Sequence, residues 1–572
     1  MKKIFFYLIV PALVMSACKS DPDAKKLRAA RFDEVRVDGE LKERIHRNLD
    51  RMEQEKYLPE NLFLTNEQSG WWPGDTEGRT ILALVLDAQA TGRDPKYLDA
   101  IFARFSGKLN AEGYFGDIQP DSLVDEQQLS SHGWVFRALC EYYLWKKEEQ
   151  TLLYLNTMLD NLVLRTKGFH ADYPIDPAQR NYAGERAGSR VEKTLNGWIL
   201  STDIGCDFIF LDGIVQAYQV TGREDLLPVI DEITELYKKI DVEAIMAQTH
   251  STLSGVRAML RYYDVTGDPS LLQTAKERYS TYAGNAMTEN YENYNWFGRP
   301  EWTEPCAVVD AYMSAVQLWQ YTGDPLYLAD AQKMYYNGIC FEQRANGGFG
   351  TSLCSGAHGH KEVQVDNEES HWCCSMRGGE GLSRAAQYAA FVKGNEVYLT
   401  NLVAGRYALQ LKDGTASFSI DTDYPFTNGA RLLFDNDAEK TKLLFFHPVW
   451  MRDFKISLNG KEMFVNEENG FAAVSGSFKK GDVLDIVFDQ EMIALDAENP
   501  HSIPGVHKYM AGPLLLGVKD GDMEKLPKNA AIEKTGRQSF VVGGQPMTTV
   551  YHFMCPAVKT YPRYNIQILF GE

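Results

Sequence analysis

One short motif punctuates the first two-thirds of the chain: Thr91-Gly92-Arg93-Asp94-Pro95, Thr221-Gly222-Arg223-Glu224-Asp225, Thr266-Gly267-Asp268-Pro269 and Thr322-Gly323-Asp324-Pro325. Each copy follows an apolar stretch of helical period and precedes another, as Gly255 to Tyr263 does before the third. Glycine suits the left-handed position that ends a helix, Asp caps the next helix, and Pro is tolerated in its first turn. The motif therefore marks helical hairpins. Their irregular spacing between residues 30 and 395 points to a closed ring of paired helices, an (α/α) toroid, more than to a strict solenoid. The centre of such a ring is a cleft.

Near residue 396 the period changes to strand alternation, in Glu396-Val397-Tyr398-Leu399, Tyr407 to Leu411, Ala416 to Ile420 and Lys442 to Phe446. Hairpin-turn chemistry at Asn459-Gly460 and Lys480-Gly481-Asp482 separates such runs. The expected organisation is multidomain α+β: a toroid over 18–395, a β-sandwich over 396–496 and a further β-rich module over 497–572.

Residues 1–17 read as a leader, with Lys2-Lys3, an apolar run from Ile4 to Val14, and Ser16-Ala17 before Cys18. The pattern resembles a bacterial lipoprotein signal, which implies an exported protein tethered to a membrane through lipidated Cys18, in the periplasm or at the outer-membrane surface. A net charge of −19 disfavours nucleic acid and anionic membrane surfaces as partners. Aromatic residues at 12% suit stacking against sugars, though core packing accounts for most of them. In an oxidising compartment Cys140, Cys206, Cys340, Cys354 and Cys555 have no redox state that the sequence assigns.

Three thiols and a carboxylate carry the chemistry. Glu304-Pro305-Cys306 opens one apolar helix, and Cys373-Cys374 precedes another. Zn²⁺ takes four such ligands in tetrahedral geometry and keeps its cysteines deprotonated. A helix N-terminus adds a second device favouring thiolate. The same residues also read as buried core cysteines or as a vicinal disulfide.

The Glu-x-Cys motif, the Cys-Cys pair, the helical hairpins and the sandwich signatures Asp421-Thr422-Asp423-Tyr424-Pro425 and Gly476 to Asp482 together resemble the β-L-arabinofuranosidases of glycoside hydrolase families 127 and 146. The resemblance implies an (α/α)6 barrel and a retaining exo-glycosidase acting on a carbohydrate, a plant-type glycan. It further implies a zinc site formed by Glu304, Cys306, Cys373 and Cys374, with Cys373 as nucleophile. Its acid lies some fifteen residues before the zinc glutamate, where Glu289 is the best match, with Glu292 and Glu301 as fallbacks. His132 and His250 match its substrate histidines. Asp75 and Glu77, at a polar helix entry, are candidates to bind hydroxyls or to cap that helix; Asp207 stands where a third substrate histidine is replaced.

The chain departs from the family pattern after the cysteine pair, where Ser375-Met376-Arg377-Gly378-Gly379 replaces Pro-Pro-Asn, and around Phe349-Gly350-Thr351, where the orienting tyrosine has no counterpart. The reaction type is thus better supported than the sugar, and Arg377 is a candidate to meet a sugar carboxylate. Two rival readings stand: a polysaccharide lyase with an α-toroid, which needs a Tyr or His base and no thiols, and a non-catalytic glycan-binding lipoprotein.

Overall fold

The computed structural model describes residues 26–64, 72–180, 182, 186–551 and 564–572. The leader, Cys18, Trp71 and Cys555 lie outside the described residues. Helices occur in antiparallel pairs: α1 (Gly39–Arg51), α2 (Asp75–Thr91), α3 (Leu98–Phe105), α4 (Glu126–Lys146), α5 (Glu149–Met158), α6 (Asp207–Thr221), α7 (Leu227–Lys239), α8 (Thr249–Thr266), α9 (Pro269–Asn285), α10 (Pro305–Thr322), α11 (Pro325–Met334) and α12 (Cys374–Gln387). The even-numbered helices form the inner ring. Each packs on the next, and α12 closes back onto α2. The odd-numbered helices lie outside them, so the expected (α/α)6 barrel is the fold.

The Thr-Gly motif explains the hairpins. Gly92, Gly222, Gly267 and Gly323 each take φ between 67° and 75° at the helix C-terminus, where only glycine is unstrained. The preceding threonines donate to the carbonyl four residues back and accept the amide two residues on, closing the turn. Asp268 and Asp324 then accept from the amides of Ser270 and Leu326, capping α9 and α11 over Pro269 and Pro325. On one side the inner ring is drawn very tight. A Cβ on Gly133 of α4 would stand 2.5 Å from the Ile209 carbonyl of α6, and one on Gly213 would meet Gly133 at the same distance.

The barrel axis is plugged by buried charge. Arg137, Arg257 and Arg377 converge on Asp212, Asp310 and Glu380, and Trp134 stacks under the guanidiniums of Arg79, Arg137 and Arg377. Arg377 is therefore spent on Asp310 and Glu380 and is not free to meet a sugar carboxylate.

The β-sandwich consists of a six-stranded and a seven-stranded sheet. Both draw on residues outside 396–496. Arg28–Ala29 pairs with Ala390–Lys393 at the edge of one sheet, and Val35–Val37 pairs with Gly405–Leu411 at the edge of the other. The 497–572 region is likewise not a separate sheet. Its strand Asn565–Gln567 pairs with Glu362–Val365, which continues through Ser352–Leu353 to Trp302–Thr303, the residues directly before Glu304. The C-terminal strands thus buttress the loop that carries a candidate ligand.

Candidate metal centre

Neighbouring helices α10 and α12 both begin at the same end of the barrel, and this brings together residues almost seventy positions apart. Glu304 is the N-cap of α10 and Cys306 lies in its first turn; Cys373 is the N-cap of α12 and Cys374 its first residue. All four are buried, and one ligand atom from each lies within 4.8 Å of every other. Cys373 Sγ is 3.4 Å from Glu304 Oε1 and 3.3 Å from Cys374 Sγ, and Cys374 Sγ is 3.9 Å from Cys306 Sγ. A tetrahedral zinc with its usual bond lengths spaces its ligands by about 3.5 Å for sulfur to oxygen and about 3.8 Å for sulfur to sulfur. The Cys373–Glu304 and Cys306–Cys374 separations have this spacing, and Cys373 and Cys374 stand about half an ångström closer.

The electrostatics favour a cation at this point. Glu304 Oε2 is buried with no hydrogen-bond partner. Burial, with Cys306 and Asp203 adding their negative charge, pushes the Glu304 carboxyl well above the carboxylate range. Cys306 is held as thiolate: burial opposes this, but the thiols of Cys373 and Cys374 and the nearby His250 and Arg79 outweigh it. Cys373 and Cys374 are in turn pushed well up, Cys373 chiefly by its hydrogen bond to Cys306 and Cys374 chiefly by burial. Protein groups alone thus sustain one thiolate, whereas a divalent cation would stabilise all four anions. These residues fit a zinc ion. Of the three cysteines Cys373 is the least buried, 7% exposed against 0% for the others.

Around this centre Arg79 reaches back from α2. Its Nε bonds both carboxylate oxygens of Asp75 at 2.9 Å, and its Nη1 stands 3.8 Å from Cys306 Sγ. Asp75 is therefore the partner of a cation beside the cluster, and Glu77 is buried in the same first turn. The Asp75-to-Arg79 spacing of one helical turn was the readable signal for this pair. His250 stacks on Trp134 at 5.6 Å with Nδ1 3.2 Å from Asp310, near enough to Cys306 to favour its thiolate.

The remaining expected site residues are turned elsewhere. His132 is fully buried: Nδ1 meets the Gln128 carbonyl at 2.7 Å, and Nε2 accepts from the Phe115 amide at 3.0 Å. Burial lowers its pKa to about 4, so it is a neutral core histidine, locked by backbone, with no ring nitrogen left for a sugar. Asp207 is bound to His170 Nδ1 at 2.8 Å, which fixes that ring rather than a substrate. Glu289 is spoken for as well. Lys508 Nζ lies 2.8 Å from its Oε2 and the Asn499 amide 3.0 Å from its Oε1, tying the barrel to the C-terminal strands. Glu301 is exposed beside Arg299. Glu292 is fully buried, and burial and Glu342 raise its pKa well above the usual range. Among the described residues the seven cysteines are free, which removes the vicinal disulfide.

The described residues thus form a toroid with three thiols and a carboxylate gathered at one end, joined to β-sheets. Residues 396–490 match the family model described as "Beta-L-arabinofuranosidase, GH127 middle domain". In structure the chain is similar to a GH127 β-L-arabinofuranosidase from Geobacillus stearothermophilus, with a TM-score of 0.71 and 14% identity over 94% of this chain and 100% of that one. A second GH127 β-arabinofuranosidase gives a TM-score of 0.70 at 14% identity, covering 96% of this chain and 98% of that one. A protein described as a glycoside hydrolase gives 0.70 at 16% identity, with the same coverage. No curated protein sequence matches the chain. The chain is GH127-like: it has that fold from end to end and that family's middle domain in sequence.

Proposed function

We propose that the protein is a retaining glycoside hydrolase of the β-L-arabinofuranosidase type that attacks with Cys373. The observation that carries this reading is the gathering of Glu304, Cys306, Cys373 and Cys374, buried and with one ligand atom of each within 4.8 Å of every other, a donor set suited to zinc. A zinc ion held there would keep the thiols deprotonated at neutral pH and so supply a nucleophile.

The chain's own residues do the rest. Cys306, Cys374 and Glu304 surround Cys373 and fix its position at the N-terminus of α12. Attack of Cys373 Sγ on the anomeric carbon displaces the glycosidic oxygen, and water later displaces the sulfur, so the anomeric configuration is retained. Arg79 supplies positive charge beside Cys306, its Nη1 3.8 Å from that sulfur. The substrate we infer is a β-linked pentofuranoside of a plant-type glycan, released at the bacterial surface or in the periplasm by a protein tethered through Cys18.

Incubation with 4-nitrophenyl β-L-arabinofuranoside, followed by acid quench and peptide mass mapping, tests this reading. A pentosyl adduct is expected on Cys373, lost in Cys373→Ala. An adduct on a carboxylate, or 4-nitrophenol release unchanged in Cys373→Ala, would overturn it.

A further inference from the structure

A retaining hydrolase needs a carboxylic acid about 5 Å from its nucleophile. Glu292 lacks a partner among the described residues but is fully buried, and a carboxyl without an ion-pair partner that keeps some exposure is one the sequence did not single out. Asp75 is held by Arg79, Asp207 by His170 and Glu289 by Lys508. Glu126 is paired with Arg180 at 3.1 Å and also bonds the Ser201 amide. Asp203 has no ion-pair partner among the described residues. It is 6% exposed, and its Oδ1 accepts from Trp296 Nε1 at 3.3 Å, a neutral donor.

Its position is at the mouth of the barrel. Asp203 stands in the turn that enters α6, and the next residue, Ile204, accepts the Gln248 amide at 2.9 Å just before α8. The backbone continues this link, Thr249 donating to the Asn295 carbonyl and Asn295 to that of Trp302, two residues before Glu304, which puts Asp203 on the metal-centre side of the barrel rather than behind the helices. Indoles frame it. Trp296 packs edge-on against Trp302 at 5.6 Å, two residues before Glu304, and Trp72 donates to the Gly188 carbonyl at 3.0 Å, with Gly188 itself alongside Asp203. Aromatic walls around one polar head are what a sugar site requires.

Resting on the hydrolase reading, we propose that Asp203 is the acid/base of the reaction, the proton donor to the departing glycosidic oxygen. In the first step the bond from Cys373 Sγ to the anomeric carbon forms, the bond from that carbon to the glycosidic oxygen breaks, and the Asp203 proton passes to that oxygen, leaving a carboxylate. In the second, the Asp203 carboxylate takes a proton from water, the water oxygen bonds the anomeric carbon, and the sulfur leaves as thiolate. Protons and electron pairs return to their starting places. Burial pushes Asp203 up to about 7, with the charge of Glu126 adding to it and the Trp296 and Gly188 hydrogen bonds and Arg299 opposing, so the carboxyl still holds a proton near neutral pH.

The test compares Asp203→Asn with the parent on two substrates, 4-nitrophenyl β-L-arabinofuranoside, whose leaving group needs no proton, and methyl β-L-arabinofuranoside, whose leaving group does. Loss of the acid should cost the methyl glycoside about a thousandfold in kcat/KM, while formation of the Cys373 adduct from the aryl glycoside stays within about tenfold. Zinc content should be unchanged. In Asp203→Ala, azide should restore turnover and give a β-arabinofuranosyl azide, because the small anion needs no base. Equal losses on both substrates without azide rescue, or a methyl glycoside rate like the parent's, would overturn the proposal while leaving Cys373 adduct formation, and with it the hydrolase reading, intact. Absence of that adduct in the parent would overturn both.

Discussion

Replacing Glu289 by Gln separates a clamp from a catalyst. Glu289 and Lys508 are nearly sealed, with side-chain exposures of 2% and 8%. The ammonium also bonds the Glu289 carbonyl at 2.9 Å and lies 4.5 Å from the Tyr291 ring centre, but among the described residues its counter-charge is this one carboxylate. The Glu289→Gln side chain can still accept from the Asn499 amide, so the loss is confined to the charge pair. Removing one partner of a buried ion pair costs about 3 to 5 kcal/mol, and the surviving amide bond places this change near the lower end, about 3 kcal/mol. The folded-state pKa of Lys508 is raised above 10.5: burial alone would lower it, and the opposing pull of Tyr291 and Glu289 wins. The stability it contributes is therefore fully present below pH 10.5 and fades only above it, so the loss should be the same at pH 6 and pH 8. Thermal melting should fall by several degrees, and amide exchange should quicken first in Val506–Ala511, the strand that carries Lys508. The kcat/KM of folded Glu289→Gln on methyl β-L-arabinofuranoside should stay within about tenfold of the parent's. A thousandfold loss with unshifted melting would refute the clamp and restore Glu289 as the acid.

Three further outcomes follow from the same contacts. Cys306→Ser should leave the helices in place yet lower zinc retention against a chelator by at least about tenfold, read by elemental analysis after dialysis. Arg377→Met should destabilise the barrel by about 3 kcal/mol or more, because Asp310 and Glu380 lose a buried cation; urea unfolding measures it. His132 takes up a proton at 6.5 when unfolded but only at about 4 when folded, so stability present above pH 6.5 is lost as pH falls through that window. At 1.36 kcal/mol per unit the loss by pH 5 is about 2 kcal/mol, and His132→Asn should lack this part of the pH slope in urea titrations.

What the sequence made legible is what depends on near neighbours or on residue type alone. The Thr-Gly turns close on contacts within four residues, so the motif shows the hairpins directly. Three cysteines and a glutamate at two helix starts announce a metal by their chemistry, and the ring closure of α10 beside α12 makes them meet. The roles of single carboxylates and histidines were hidden for the opposite reason. Lys508 reaches Glu289 from 219 positions away, and the residues that consume His132 are a backbone carbonyl and a backbone amide, which leave no trace in residue identity. Asp203 differs from its neighbours by lacking a cation, a property of the folded surroundings. The strands Arg28–Ala29 and Val35–Val37 are too short to show a period, and they join the sandwich only because the first and last parts of the barrel end beside it.

The most direct test is X-ray absorption at the zinc edge on protein purified without chelators and under reducing conditions. Three sulfur neighbours at about 2.3 Å and one oxygen at about 2.0 Å, at one zinc per chain, are the expected shell. A shell of nitrogen and oxygen alone, or protein free of metal that still transfers a pentosyl group, would contradict the account.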